Sequence, residues 1–208
     1  YNNIATNNTG GILIFDLPNL PKQGGKFVRV FKNKSFNNNT ENFAPEGNIV
    51  GLVPSGTGLI IMANRNVEVF ENSFDNNQTV HIAVVAGELE SGDESYDPYP
   101  KSVQIHNNQF SNVGKNPDLS RGDLSPILVD IANGDMPDII WDGLLPVSQL
   151  LFGQPDSEKI IIEEVNETKF LDLDVFWYVA LPFFHSPSRD KNEFKGSITN
   201  LPEILKWN

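Results

Sequence analysis

The sequence predicts an all-β solenoid of stacked parallel strands, and three observations carry that expectation. One phrase is written three times: FVRVFKNKSFNNNT from Phe27, NVEVFENSFDNNQT from Asn66 and SVQIHNNQFSNV from Ser102. In each copy apolar residues alternate as in a strand (Val28/Val30, Val67/Val69, Val103/Ile105), and an asparagine follows at a fixed offset (Asn33, Asn72, Asn108). An apolar run of a second type recurs as well, and the lengths between runs vary at two corners, as in a stack of repeats that tolerates loops on one side.

The elements follow in order. The second run, strand A, reads GILIF at 11–15, GLIIM at 58–62, HIAVV at 81–85 and PILVD at 126–130. The Val-x-Val segment is strand B, and the residues after the ladder asparagine form a short strand C. Short strands with turn signals at both ends also fit an antiparallel sandwich. The asparagine recurring at one corner favours the parallel stack, because side-chain amides in register carry donors and an acceptor and bond along the axis. Inserts between A and B occupy 16–26, 63–66, 86–101 and 131–138; those between C and A occupy 40–57 and 113–124. The B-to-C corner never grows. Ile139, Ile140 and Trp141 read as a fourth, degenerate strand B, at the same offset from Val103 as Val103 from Val67.

Both ends depart from the pattern. The opening NIATNN aligns with NSFDNN, so the chain enters in the latter half of a coil; upstream coils of the same protein or another chain are expected over that open end. From Leu144 the pattern loosens. IIIEEVNETKFLDLD and FWYVALPFF still read as strands, with Asn166 and Phe170 as a decayed phrase, and NLPEILKWN reads as a tail packed on the body. The expected division is 1–143 for the coils and 144–208 for a degenerate coil and cap.

The 208 residues suffice for one domain with a sizeable core. A net charge of −12 excludes nucleic acid as a natural partner, since phosphate contacts need clustered Lys and Arg. No apolar run approaches the ~18 residues of a membrane span; the longest, 175–184, is broken by Pro182. Cysteine is absent, so packing, hydrogen-bond ladders or metal ions must hold the fold. With the surplus of Asn, Gly and Pro, this fits a secreted, periplasmic or cell-surface bacterial β-protein. The sequons at Asn7, Asn33, Asn38, Asn77 and Asn166 read as coincidences of an Asn-rich chain.

Over residues 1–140 the phrasing GILIFDLPNLP…FVRVFKNKSF…NF resembles bacterial parallel β-helix repeat proteins of the pectate-lyase-like superfamily. The resemblance implies a right-handed parallel β-helix of about four to five coils, with long loop inserts and a C-terminal cap. In pectate-lyase-like enzymes the sugar lies across one sheet, where a Lys or Arg base stands beside carboxylates that hold Ca²⁺. By resemblance that sheet is strand A.

Alternation puts Ile12/Ile14, Leu59/Ile61 and Ile82/Val84 on one face of strand A and Leu13/Phe15, Ile60/Met62 and Ala83/Val85 on the other. Both faces are apolar, so the outer one is expected under an insert, the C-terminal segment or a partner. That weighs against a sugar-cleaving groove. The A-to-B inserts gather Asp16, then Glu88, Glu90, Asp93, Glu94 and Asp97, then Asp135 and Asp138. The middle five are the candidate Ca²⁺ ligands, without EF-hand spacing. Tyr96 and Tyr99 are candidates for stacking on a sugar or partner, or for pinning their loop.

His81 and His106 are expected at the surface, and Arg29, Glu68 and Gln104 as an exposed polar ladder. His185 has Ser186, Arg189 and Asp190 nearby but no supporting motif. Trp141, Trp177 and Trp207 are packing candidates. No catalytic residue is assigned. The expected function is a scaffold, or the binding of a polysaccharide or protein partner. A polysaccharide lyase or epimerase is the alternative, and a structural subunit of a larger assembly the second.

Overall fold

The computed structural model describes residues 1–45, 47–165 and 167–203. Asn166 and most of the closing tail, with Trp207, lie outside these residues. Among the described residues thirteen strands form three sheets, and every pairing within them is parallel. The C sheet runs β1 (Ile4–Thr6), β4 (Lys34–Phe36), β7 (Ser73–Asp75), β10 (Gln109–Ser111). The A sheet runs β2 (Gly10–Phe15), β5 (Thr57–Met62), β8 (Val80–Val85), β11 (Ile139–Trp141), β13 (Phe170–Asp172). The B sheet runs β3 (Lys26–Phe31), β6 (Arg65–Phe70), β9 (Lys101–His106), β12 (Ile161–Glu163). From β1 to β10 the chain visits the three sheets in strict rotation, a connectivity compatible with a parallel β-helix.

Register follows the repeat. Val28 pairs with Val67 and Val67 with Val103; Leu59 pairs with Ile82 and Ile82 with Ile139. The alternate residues point inward, and Leu59, Ile61, Val67, Val69, Ile82, Val84, Val103 and Ile105 are fully buried. The corners explain how such short strands turn. Asn2, Lys32, Glu71 and Asn107 take positive φ at one corner, and Asn7, Asn37, Asn76 and Asn112 at the next. Asparagine tolerates this left-handed conformation; Lys32 and Glu71 hold it at a cost.

At the first corner the left-handed residue is followed by a rung. Asn33 Oδ1 accepts from the backbone N and Nδ2 of Asn3, both at 2.9 Å. Asn72 Oδ1 accepts the same two groups of Asn33, and Asn108 Oδ1 those of Asn72, at 2.9–3.0 Å. At the second corner lies a ladder the phrase alignment passed over: Asn8 onto Asn38 onto Asn77. Three of the sequon asparagines (Asn33, Asn38, Asn77) are thus buried rungs.

Several expectations are corrected. PILVD is no strand: it lies in α1 (Leu124–Ala132), which starts after Asp123 and ends at Asn133 with φ 48°. Leu124, Leu128 and Ala132 recur at helical spacing, and Leu128 and Ala132 are buried against the outer face of the A sheet. Segment 131–138 is therefore part of the C-to-A connection, and Asp135 and Asp138 do not belong to an A-to-B insert. Ile139–Trp141 joins the A sheet beside β8, and the fourth B strand is β12. FWYVALPFF is α3 (Val175–Ala180) followed by a 3-10 turn, Pro182–Phe184. A further helix, α2, spans Val147–Phe152.

Candidate functional site

The outer face of the A sheet is covered, as its two-sided apolarity requires. Ile60, Met62, Ala83, Ile140 and Leu171 pack against Leu128, Ala132, Met136, Tyr96 and Val53. The cover leaves an open-mouthed cleft of about 750 Å³. Its floor is Ile60, Met62, Ala83 and Ile140; its walls are Leu124 and Leu128 of α1, Val53 of one insert, and Val175 and Val179 of α3. Leu52, Leu89 and Leu119, each more than half exposed, stand at the lining's outer margin. Among the described lining residues Phe15 is the sole aromatic ring, and none is Lys or Arg.

The charged groups of the cleft are Asp123 and Asp142. Asp142 is buried, and its oxygens accept from the backbone N–H of Ala86 at 2.6 Å and of Leu144 at 3.0 Å. Burial outweighs those bonds and pushes its carboxyl up to about 7. Asp142 thereby ties two loops to the edge of the cleft, a role its sequence position did not announce.

Two of the five carboxylates expected to meet a cation are engaged elsewhere. Asp93 accepts from the N–H of Asn19 and Ser95, from Gln23 Nε2 and from Ser95 Oγ, and the Ser95 hydroxyl leads in holding it well below the usual carboxylate range. Asp97 lies 3.3 Å from Arg65 and 2.9 Å from Lys101. Glu88, Glu90 and Glu94 are exposed. Among the described residues no three His, Cys, Asp or Glu side chains are grouped to hold a metal ion. In this arrangement the five carboxylates do not converge on one point, around which Ca²⁺ takes six to eight oxygens.

Tyr96 turns inward. Its hydroxyl donates to the Asp16 carbonyl at 2.9 Å, and burial pushes it up to about 12. It pins the long insert to the body. Tyr99 is half-buried, and burial raises its hydroxyl too. Asp16 itself is buried and binds the N–H groups of Gly24 and Gly25.

The histidines also differ from expectation. His81 is fully buried between Phe74 and Phe110, with Nδ1 3.0 Å from Asn77 Nδ2 and Nε2 2.9 Å from the Ser111 carbonyl. Asn77 can only donate there, so Nδ1 accepts and Nε2 carries the proton. Burial holds the imidazole down at about 4. His106 is buried too, stacked on Phe70 and 3.3 Å from Glu68. His185 meets the Leu173 carbonyl, and Arg189 meets the Ala132 and Asp135 carbonyls, so they share no catalytic geometry with Ser186.

The polar column of the B sheet is covered rather than exposed. Glu68 is 1% accessible, bound by Arg29 Nε at 3.1 Å and by the Leu201 N–H. Gln104 exchanges two bonds with the backbone of Thr199, and Glu163 accepts from the Gly196 N–H. Residues 196–201 thus cross the strands and seal this face.

No protein-family model, curated protein or solved structure matches this chain. Fold and site define a class all the same: a stack of parallel strands with buried asparagine ladders, carrying an apolar cleft on one sheet.

Proposed function

We propose that the chain is a module of a right-handed parallel β-helix that binds a protein partner and holds it in place without transforming it. The observation that carries this reading is the cleft on the A sheet: about 750 Å³, walled by apolar side chains and edged by exposed leucines. A volume of this size accepts a cluster of partner side chains, and exposed apolar rims mark contact surfaces. A partner with neutral or basic residues beside its apolar anchor is favoured, because the cleft's charges are carboxyls and the chain carries −12 overall. A sugar chain finds one ring and few polar groups there. A lyase or epimerase of the pectate-lyase-like type uses a Lys or Arg base to take the sugar's proton, and neither is among the described lining residues. The cysteine-free, Asn-rich composition supports work outside the cytoplasm, in a secreted, periplasmic or surface location.

The test uses the neutral apolar dye N-phenyl-1-naphthylamine. It is expected to bind saturably, and Leu89→Glu and Leu119→Glu, both at exposed positions, to weaken it at least about tenfold, the equivalent of one lost apolar contact. Equal binding by both variants, or sustained formation of unsaturated uronides from polygalacturonate or alginate, would overturn the reading.

A further inference from the structure

The two ends of the stack are chemically different. In both ladders each rung's Oδ1 faces the preceding coil and receives its two donors from there. The first ladder ends at Glu164, whose oxygens receive the N–H and Nδ2 of Asn108. The second reaches His81 through Asn77. The last A strand, β13, is bridged in antiparallel fashion from Asp172 to Ser188.

At the other end nothing comparable is in place. β1, β2 and β3 are the terminal strands of their sheets, so all three present unpaired backbone on the same side. No N–H of the described residues reaches Asn3 Oδ1 or Asn8 Oδ1, and both asparagines are exposed where Asn33 and Asn38 are buried. The core is open there as well: Ile12, Ile14 and Val28 are partly buried, against full burial of their partners Leu59, Ile61 and Val67. Tyr1 stacks 4.9 Å above Phe31, the start of a column through Phe70 to His106, and is 69% accessible.

We propose that this end is a docking face for one more three-strand parallel β coil, whose asparagine donates its backbone N–H and Nδ2 to Asn3 Oδ1. The occupant's chemistry is fixed by what the face lacks. It must bring three strand edges in parallel register, an apolar inner face over Ile12, Ile14 and Val28, and amide donors over Asn3 and Asn8. A second copy fails on each side. Face to face, it sets Oδ1 against Oδ1, acceptor against acceptor; its opposite end is already closed, with Glu164 taken up by Asn108 and β13 bridged to Ser188. The docking face is separate from the A-sheet cleft and stands if that reading falls.

The experiment adds the coil. A copy of residues 32–69 is fused ahead of Tyr1, which puts Tyr1 in the place of Phe70 and Asn3 in that of Asn72. The melting temperature is expected to rise by about 5 °C or more, with β2 and β3 amides gaining protection from hydrogen exchange. Asn3→Ala should lower it more in the fusion than in the parent chain, since only there does Oδ1 hold two donors. A second fusion, with residues 71–105, repeats the test with another insert should the first fail to fold. If both added coils stay trypsin-sensitive and the parent transition does not move, the proposal fails. Sedimentation of the parent chain should show a monomer; a concentration-dependent dimer abolished by Asn3→Lys would replace the coil with a second copy and overturn it.

Discussion

Glu164 stands at the foot of the asparagine ladder in the place of a further rung below Asn108. Its Oε1 accepts from Asn108 Nδ2 at 2.7 Å, and its two oxygens lie 3.1 and 3.0 Å from the Asn108 N–H. Each rung passes two donors downward, so the column must end on a group with an oxygen that accepts both. A carboxylate does this. It also introduces a charge where a rung would be neutral.

The first prediction concerns that charge. Burial pushes the Glu164 carboxyl from 4.5 up to about 7, against the lowering effect of Asn108. Its folded value lies above its unfolded one, so its stabilising contribution is complete below pH 4.5 and is lost as pH rises through about 7. Asp142, at about 7, and Asp172, at about 6, act in the same direction for the same reason, burial. Urea midpoints should therefore fall from pH 5 to pH 8. Glu164→Gln keeps an oxygen for both donors and should be more stable than the native chain at pH 8 by about 1–3 kcal/mol. Parallel pH profiles for the two would refute the assignment.

His81 has the opposite sign. Burial lowers its folded value from 6.5 to about 4, so its contribution is complete above pH 6.5 and is lost as pH falls through the folded value. The imidazole should remain neutral, with the proton on Nε2, at pH 5.5 in ¹⁵N spectra. An ordinary midpoint near 6.5 would show that the Asn77–His81–Ser111 chain does not persist in solution.

The ladder's interior should matter far more than its top. Asn72→Ala strands the N–H and Nδ2 of Asn33, both buried, and should cost about 3 kcal/mol or more. Asn3→Ala, exposed, should cost under about 1 kcal/mol in the unmodified chain. One residue away the sign reverses. Glu71 holds φ 54°, so Glu71→Asn should stabilise by about 0.5–1 kcal/mol. Thermal denaturation of the three variants orders them.

Gly87 admits no side chain. A Cβ there would collide with the Tyr96 hydroxyl, so Gly87→Ala must dislodge that ring from its bond to Asp16. Tyr96→Phe removes the bond alone and should cost about 1 kcal/mol. Gly87→Ala should cost more and open loop 86–100 to limited proteolysis. Equal protease resistance in all three proteins would mean that the ring does not pin the loop.

What is local and repeated could be read from the residues alone. Alternation at Val67/Val69 and Val103/Ile105, and the offset to Asn72 and Asn108, depend on neighbours a few residues away, and the strands, register and first ladder were legible from them. The second ladder was legible in principle: each doubled asparagine, such as Asn37–Asn38 or Asn76–Asn77, supplies a left-handed corner and then a rung. The site was much less so. Asp142 carries no mark in its own segment; the helical spacing of Leu124, Leu128 and Ala132 was there to be read, and Tyr96 was legible only as one of two options, stacking on a partner or pinning its loop.

By itself the sequence determined the stack, because the period-two pattern and the asparagine corners impose one strand spacing on every coil. Tertiary structure decided the rest. PILVD suits a strand or a helix, and the apolar face of the A sheet selected the helix, whose Leu128 and Ala132 it buries. Ile139–Trp141 fits either sheet, and pairing beside Ile82 chose the A sheet. Arg29, Glu68 and Gln104 read as surface residues until 196–201 crosses them. In each case burial depends on a segment far along the chain, and no local pattern encodes which segment will arrive.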